Sequence, residues 1–348
     1  MRKKLLFKIL PDSLFKKIID KANRYNLRCK VKQPLDIESK DTIGVLIYED
    51  LLSFYKQLET SYDLSLTNVV TGSIKKEEAS LLYSLIIKEK PKTILQVGTF
   101  VGFSTLIIAE ALRRNETGKI YTVDPEILHL EIYNPVDIAK IAVEKRGLAD
   151  RVEFIKGWFS NVPHWYNKIT DIEVVGPALI KNIGILDFVF VAGDHSVMST
   201  ISDFASVVNS LKINGICAIH DVCCFSSVCN AVSAILSDKF MERMFTFSIL
   251  ESHNGLALFR KVQEYVSIVI YIKDIITKKP VSDVVLYNKK YEQKFISNLK
   301  GEIHIPKILA DRYYIDVIAK GYKSLNNHNV SLNSQPRFQE FFIELEPE

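Results

Sequence analysis

A chain of 348 residues that is 47% apolar and 25% charged has the composition of a globular protein with material for one large core and a smaller one. This excludes a single small module, a disordered chain and a collagen-like one. Net charge is only +4, too little for a generic nucleic-acid binder, and it is unevenly spread: the first forty residues carry twelve Lys/Arg against four Asp/Glu.

In chain order, the opening MRKKLLFKIL has the positive residues of a secretory signal. Lys8 and Pro11 interrupt its apolar run, and no small-residue cleavage site follows. No stretch approaches the roughly 18 apolar residues of a membrane span. Five cysteines, Cys29, Cys217, Cys223, Cys224 and Cys229, match no disulfide framework, so reduced thiols and a cytoplasmic location are expected. From Ser13, Leu14, Phe15, Ile18, Ile19 and Ala22 recur at helical spacing with Lys16, Lys17, Lys21 and Arg24 between them. Two readings of this basic amphipathic helix stay open: docking on its own domain or a partner subunit in a homo-oligomer, or lying on an anionic membrane surface.

A second helix is expected from about Thr42 to Leu58. A third runs from Ser73, as its N-cap, to Lys90-Pro91. Beyond that proline, Thr93 to Val97, Lys119 to Val123, Val152 to Ile155, Leu186 to Val191 and Ile216 to Ile219 read as strands buried on both faces, alternating with helical segments. Such alternation predicts a doubly wound parallel sheet in an α/β domain. Phe245 to Leu250 and Leu256 to Phe259, joined by Ser252-His253-Asn254-Gly255, predict an antiparallel pair at one edge. After about Val262 alternating strands take over, with Tyr313, Ile315, Val317 and Ala319 on one face and Arg312, Tyr314, Asp316 and Ile318 on the other, which predicts a small all-β sandwich. The expected division is a helical N-terminal cap at 1–72, the α/β domain at 73–261 and the sandwich at 262–348.

The densest chemical signal is ILQVGTFVGFSTLIIAEAL at 94–112, a buried strand that enters a glycine turn and then a helix. Gly98 permits the tight turn, and Gly102 permits close approach of a ligand or the helix. The helix start offers free N–H groups beside Ser104. Asp124 ends the next strand, where a carboxylate accepts hydrogen bonds from the two hydroxyls of a ribose. Two further strand ends, LDFVFVAGDHS at 186–196 and NGICAIHDV at 214–222, supply Asp194, His195, His220 and Asp221.

Over about Ser73 to Lys261 these motifs resemble the class I S-adenosylmethionine-dependent methyltransferases, and within them the small-molecule O-methyltransferase group. The resemblance implies a Rossmann-like seven-stranded sheet. It also implies S-adenosylmethionine as cofactor, lined by Gln96, Gly98, Thr99, Gly102, Ser104, Asp124, Trp158 and Asp194, with Asp124 gripping the ribose. His195, then His220 with Asp221, would face the methyl acceptor, with His195 the first choice for base. The acceptor would be a small hydroxylated molecule, or a sugar of a glycan precursor, and not a nucleic acid. Three positions depart from the family pattern: Gln96 in place of the usual acid, Trp158 in place of a polar reader of adenine, and Ala192 in place of an aspartate that ligates metal in metal-dependent members. Asp194, His220 and Asp221 remain as an incomplete ligand set, so a divalent ion is not the favoured expectation. These departures keep a catalytically silent cofactor-fold binding protein as the alternative. Cys223, Cys224 and Cys229 fit no zinc spacing. The tail resembles the carboxypeptidase regulatory-like, transthyretin-type sandwich in TKKPVSDVVLYN at 277–288, in Asn298, Lys300 and Gly301, and in Gly321-Tyr322.

Overall fold

The computed structural model describes residues 42–62, 64–160, 171–289, 291–333 and 336–348. The basic helix expected at 13–24 and Cys29 lie outside the described residues. Among the described residues no helix is long and apolar enough to cross a membrane. The chain divides into two compact units, the second running from Val262 to Glu348.

The first unit is α/β. Three helices lead in: α1 (Thr42–Tyr62), α2 (Leu66–Thr71) and α3 (Lys76–Glu89). The sheet follows as β1 (Thr93–Val97), β2 (Lys119–Asp124), β3 (Val152–Lys156), β4 (Leu186–Val191), β5 (Leu211–His220), β6 (Phe245–Leu250) and β7 (Leu256–Lys261), in the spatial order β3-β2-β1-β4-β5-β7-β6. The pairs among β1 to β5 are parallel, and β7 runs antiparallel to both β5 and β6. Helices α4 (Phe103–Arg114), α5 (Pro135–Lys145), α6 (Gly176–Ile183), α7 (Val197–Val208), α8 (Ser226–Ser237) and α9 (Lys239–Met244) connect these strands. Burial on both faces is why the central strands read as unbroken apolar runs: Leu95, Val189, Phe190, Cys217 and Ala218 are all fully buried. The chain leaves β1 for β2 on one side and later returns to place β4 on the other. The crevice at the carboxyl ends of β1 and β4 is therefore the topological switch point, where open parallel sheets hold ligands.

Ser73 is not the cap of α3. The cap is Lys75, whose N–H donates to the Glu78 carboxylate at 2.7 Å, so an acid in the first turn does the work expected of an upstream hydroxyl.

The second unit is a sandwich of two sheets. One contains β8 (Tyr265–Asp274), β11 (Glu302–Leu309) and β14 (Phe338–Leu345) in the order β11-β8-β14. The other contains β9 (Val285–Asn288), β10 (Gln293–Ile296), β12 (Arg312–Ile318) and β13 (Leu325–Ser331) in the order β10-β9-β12-β13. Alternate residues of β8, Val266, Ile268, Ile270 and Ile272, enter a core shared with Leu286, Ile303, Val317 and Ile343. In β12, Tyr313, Ile315 and Val317 face inward as the alternation predicts. Asp316, expected outside, is also covered, where it accepts the Asn327 N–H at 2.9 Å and pairs with Lys289.

Candidate active site

The turn after β1 is held from both sides. Gly98 has φ +86°, and a Cβ there would stand 2.2 Å from the Ala192 carbonyl oxygen, so only glycine lets the end of β1 lie against the end of β4. Gly102, at φ +88°, would place a Cβ 2.6 Å from that of Ala139. Its close approach is thus to α5. Phe100, a non-glycine at φ +51°, completes the loop in a conformation that costs an ordinary residue energy.

Asp124 organises this loop. Its Oδ2 accepts the N–H groups of Thr99 at 2.8 Å and Phe100 at 3.1 Å, and its Oδ1 accepts that of Glu126 at 2.8 Å. Burial raises its carboxyl above the ordinary value, against the pull of these three donors. With three donors in place, its oxygens keep capacity for a further donor. Thr99 spends its hydroxyl on Thr122 at 2.6 Å. Gln96, fully buried, donates through Nε2 to the Gly98 carbonyl at 2.7 Å and to Ser104 Oγ at 3.1 Å, while its Oε1 has no partner.

Across the switch point, the ends of β4 and β5 build a chain of alternating acids and imidazoles. His195 Nε2 lies 2.9 Å from Asp221 Oδ2, and His220 Nδ1 lies 3.0 Å from the same oxygen. His220 Nε2 then lies 3.0 Å from Glu78 Oε2. Glu78 Oε1 accepts from the Ser252 hydroxyl and from the N–H groups of Asn254 at 3.0 Å and Gly255 at 2.8 Å. Asp221 adopts φ +65°, which turns its carboxylate back between the two rings. Glu78, His220 and Asp221 are buried, and His195 is 33% exposed, so the chain opens to solvent at that end.

The electrostatics follow from the pairing. Burial opposes charge on all three inner groups, yet each partner outweighs it. His220, flanked by Asp221 and Glu78, is pushed up to about 9. Glu78 is held down to about 2 by the His220 hydrogen bond and charge and by Ser252, and Asp221 is held well below the usual carboxylate range by His220 and His195.

The other expected residues lie around this frame. Asp194 Oδ1 accepts the Ser196 N–H at 2.6 Å, and Ser196 caps α7 by accepting the Ser199 N–H at 3.1 Å; this is a capping arrangement. Trp158, half-buried, pairs its backbone with the 173–175 segment. Both nitrogens of His220 are engaged by carboxylates. Among the described residues no group of three His, Cys, Asp or Glu side chains could hold a metal ion.

Three participants were not singled out from sequence. Glu78 is the second acid of KKEEAS, indistinguishable there from a helix-capping charge. His129, in the loop after β2, sets its ring edge-on to Phe100 at 5.3 Å; burial, then the neighbouring His195, hold its pKa below the ordinary value. Phe225, 40% exposed, stacks on the His195 ring at 4.0 Å and 15°.

Residues 95–222 match the family model described as a methyltransferase domain. O-methyltransferase hkm8 of Aspergillus hancockii is 34% identical over 80 residues, 23% of this chain and 29% of that protein. Caffeoyl-CoA O-methyltransferase 1 of Arabidopsis thaliana is 29% identical over 149 residues, 43% of this chain and 49% of the relative. The chain therefore spans less than half the length of either relative. Among solved structures, the SAH-bound methyltransferase PaMTH1 of Podospora anserina is similar with a TM-score of 0.43 at 17% identity, over 73% of this chain and 98% of that one. From β1 to the residue after Asp221, the chain is similar in sequence to the methyltransferase domain family, the likeness its motifs imply.

Proposed function

We propose that this chain is an S-adenosylmethionine-dependent O-methyltransferase acting on a small hydroxylated molecule in the cytoplasm. The observation that supports it best is the meeting, at one switch point, of the glycine turn organised by Asp124 and the His195–Asp221–His220–Glu78 chain. The crevice suits a cationic nucleoside. Asp124 keeps an acceptor site, and the buried Gln96 Oε1 is an acceptor without a partner. When bound, the cofactor supplies an electrophilic methyl group.

The chain's own residues do the rest. Gly98 and Gly102 keep the loop low, and Asp124 fixes its N–H groups and receives a ribose hydroxyl. Asp221 fixes the ring of His195, whose remaining nitrogen takes the proton of an acceptor hydroxyl held about 3 Å from the methyl carbon. Phe225, lying flat on the ring, limits its rotation. The sandwich, of the carboxypeptidase regulatory-like kind, serves as a binding module.

Calorimetry with S-adenosylhomocysteine tests this. The expected result is binding that Asp124→Ala weakens at least roughly tenfold and His195→Ala leaves unchanged, while His195→Ala lowers turnover roughly a hundredfold or more. No binding at high micromolar ligand overturns the reading. Binding with no methyl transfer to any hydroxylated acceptor supports the silent alternative.

A further inference from the structure

His129 is carried by a loop that is costly to build. Between β2 and α5, Glu126, Leu130 and Glu131 hold φ of +56°, +47° and +62°, a region that costs an ordinary residue energy. The surroundings keep it there. The Leu130 carbonyl accepts the Asn68 side-chain amide at 2.9 Å, His129 and Ile132 exchange backbone hydrogen bonds at 3.2 and 2.9 Å, and Glu126 pairs with Lys140 at 2.8 Å. Backbone strain gathers where a ligand needs a fixed group. The half-buried His129 ring meets that of Phe100, in the glycine turn, and lies within electrostatic reach of both Asp124 and His195. Among the described residues neither of its ring nitrogens has a hydrogen-bond partner. We propose that His129 binds the ribose of S-adenosylmethionine, donating a ring N–H to an oxygen of the hydroxyl pair that Asp124 holds. The inference deepens the cofactor reading and rests on it.

Donor and acceptor counting carries the argument. A ribose presents two adjacent hydroxyls, and each both donates and accepts. The Asp124 carboxylate can only accept, so it takes hydroxyl protons and leaves the hydroxyl oxygens to be met by donors from elsewhere. The donors packed around it are spent. The N–H groups of Thr99, Phe100 and Glu126 all go to Asp124, and the Thr99 hydroxyl is shared with Thr122. An imidazole keeps at least one ring N–H whether neutral or protonated, so the His129 donor does not depend on its titration. Its position also fits the path of the ligand. A cofactor with its ribose on Asp124 and its methyl directed at an acceptor held by His195 runs between these two residues, and His129 feels the charge of both. The edge-on contact with Phe100 at 5.3 Å limits rotation of the ring.

Calorimetry on the unliganded full chain tests this, with S-adenosylhomocysteine and its 2′-deoxy and 3′-deoxy analogues as probes. His129→Phe keeps a ring against Phe100 and removes the nitrogens. It is expected to weaken S-adenosylhomocysteine roughly three- to tenfold, the worth of one hydrogen bond. The same substitution should change the affinity for one of the deoxy analogues by less than about twofold, because the hydroxyl it served is already gone. His129→Ala carries the same comparison if His129→Phe fails to fold. Affinity for S-adenosylhomocysteine that the substitution leaves unchanged overturns the inference. So does an equal weakening of all the probes, which would mark a ring that only packs the loop. An unaltered chain that binds no probe removes the cofactor reading and the inference with it, whereas binding that ignores His129 removes the inference alone.

Discussion

The α/β unit buries Glu78, Gln96, His220 and Asp221 at its functional edge, whereas the core of the sandwich is Val266, Ile268, Ile270, Ile272, Leu286, Val317 and similar side chains. Of the covered acids in the sandwich, Asp274 serves a turn by accepting the N–H groups of Ile276 at 2.8 Å and Thr277 at 2.6 Å, and Asp316 pairs with Lys289. The contrast separates two reasons for burial. Apolar side chains stabilise in proportion to area removed from water. Buried ions return little net stability once desolvation is counted, so a run of four joined ionisable groups is not explained by stability.

The sharpest way to break this comparison is Asp221→Ala, which leaves two imidazoles facing each other without the carboxylate between them. Removing one partner from a buried pair costs about 3–5 kcal/mol, so the urea midpoint of the α/β unit should fall steeply and methyl transfer with it. A cost below about 1 kcal/mol would mean the groups are not coupled. Ile272→Ala, at a fully buried position of β8, is the counterpart. It should cost about 2–4 kcal/mol through the cavity left behind while S-adenosylhomocysteine affinity stays within about twofold; a large loss of affinity would tie the sandwich to the cofactor site.

The smallest effect is a pH dependence with a definite sign. The folded pKa of His220 is raised from 6.5 to about 9, so its stabilisation is complete below pH 6.5 and is lost as pH climbs through about 9. Thermal denaturation of the α/β unit between those limits should show the decline, and Glu78→Gln should flatten it.

Much of this was legible in the sequence because the signals were local. The bounds of β1, β4 and β6 follow from where Val97, Val191 and Leu250 end their apolar runs, and the antiparallel edge pair follows from the turn at 252–255. Gly98, Asp124, His195, His220 and Asp221 stand at strand ends, where a parallel sheet displays its ligands. Glu78 was hidden because its partner His220 is 142 positions away, and nothing in KKEEAS distinguishes an inward acid from a solvated one. The contact of Gly102 with Ala139 was hidden for a related reason: it depends on how α5 crosses α4.

The tip of the β6–β7 hairpin has a bearing on how this protein can be cut and rebuilt. Ser252, Asn254 and Gly255 deliver their hydrogen bonds to an acid near the start of α3, so the last two strands clasp the first turn of a helix that precedes the sheet. A fragment ending at residue 222, where the family likeness stops, would leave the two inner charges half wrapped. Because β7 lies between β5 and β6, a piece that keeps the clasp must reach from Lys75 to Lys261, and grafts or new termini belong anywhere but in the four residues 252–255.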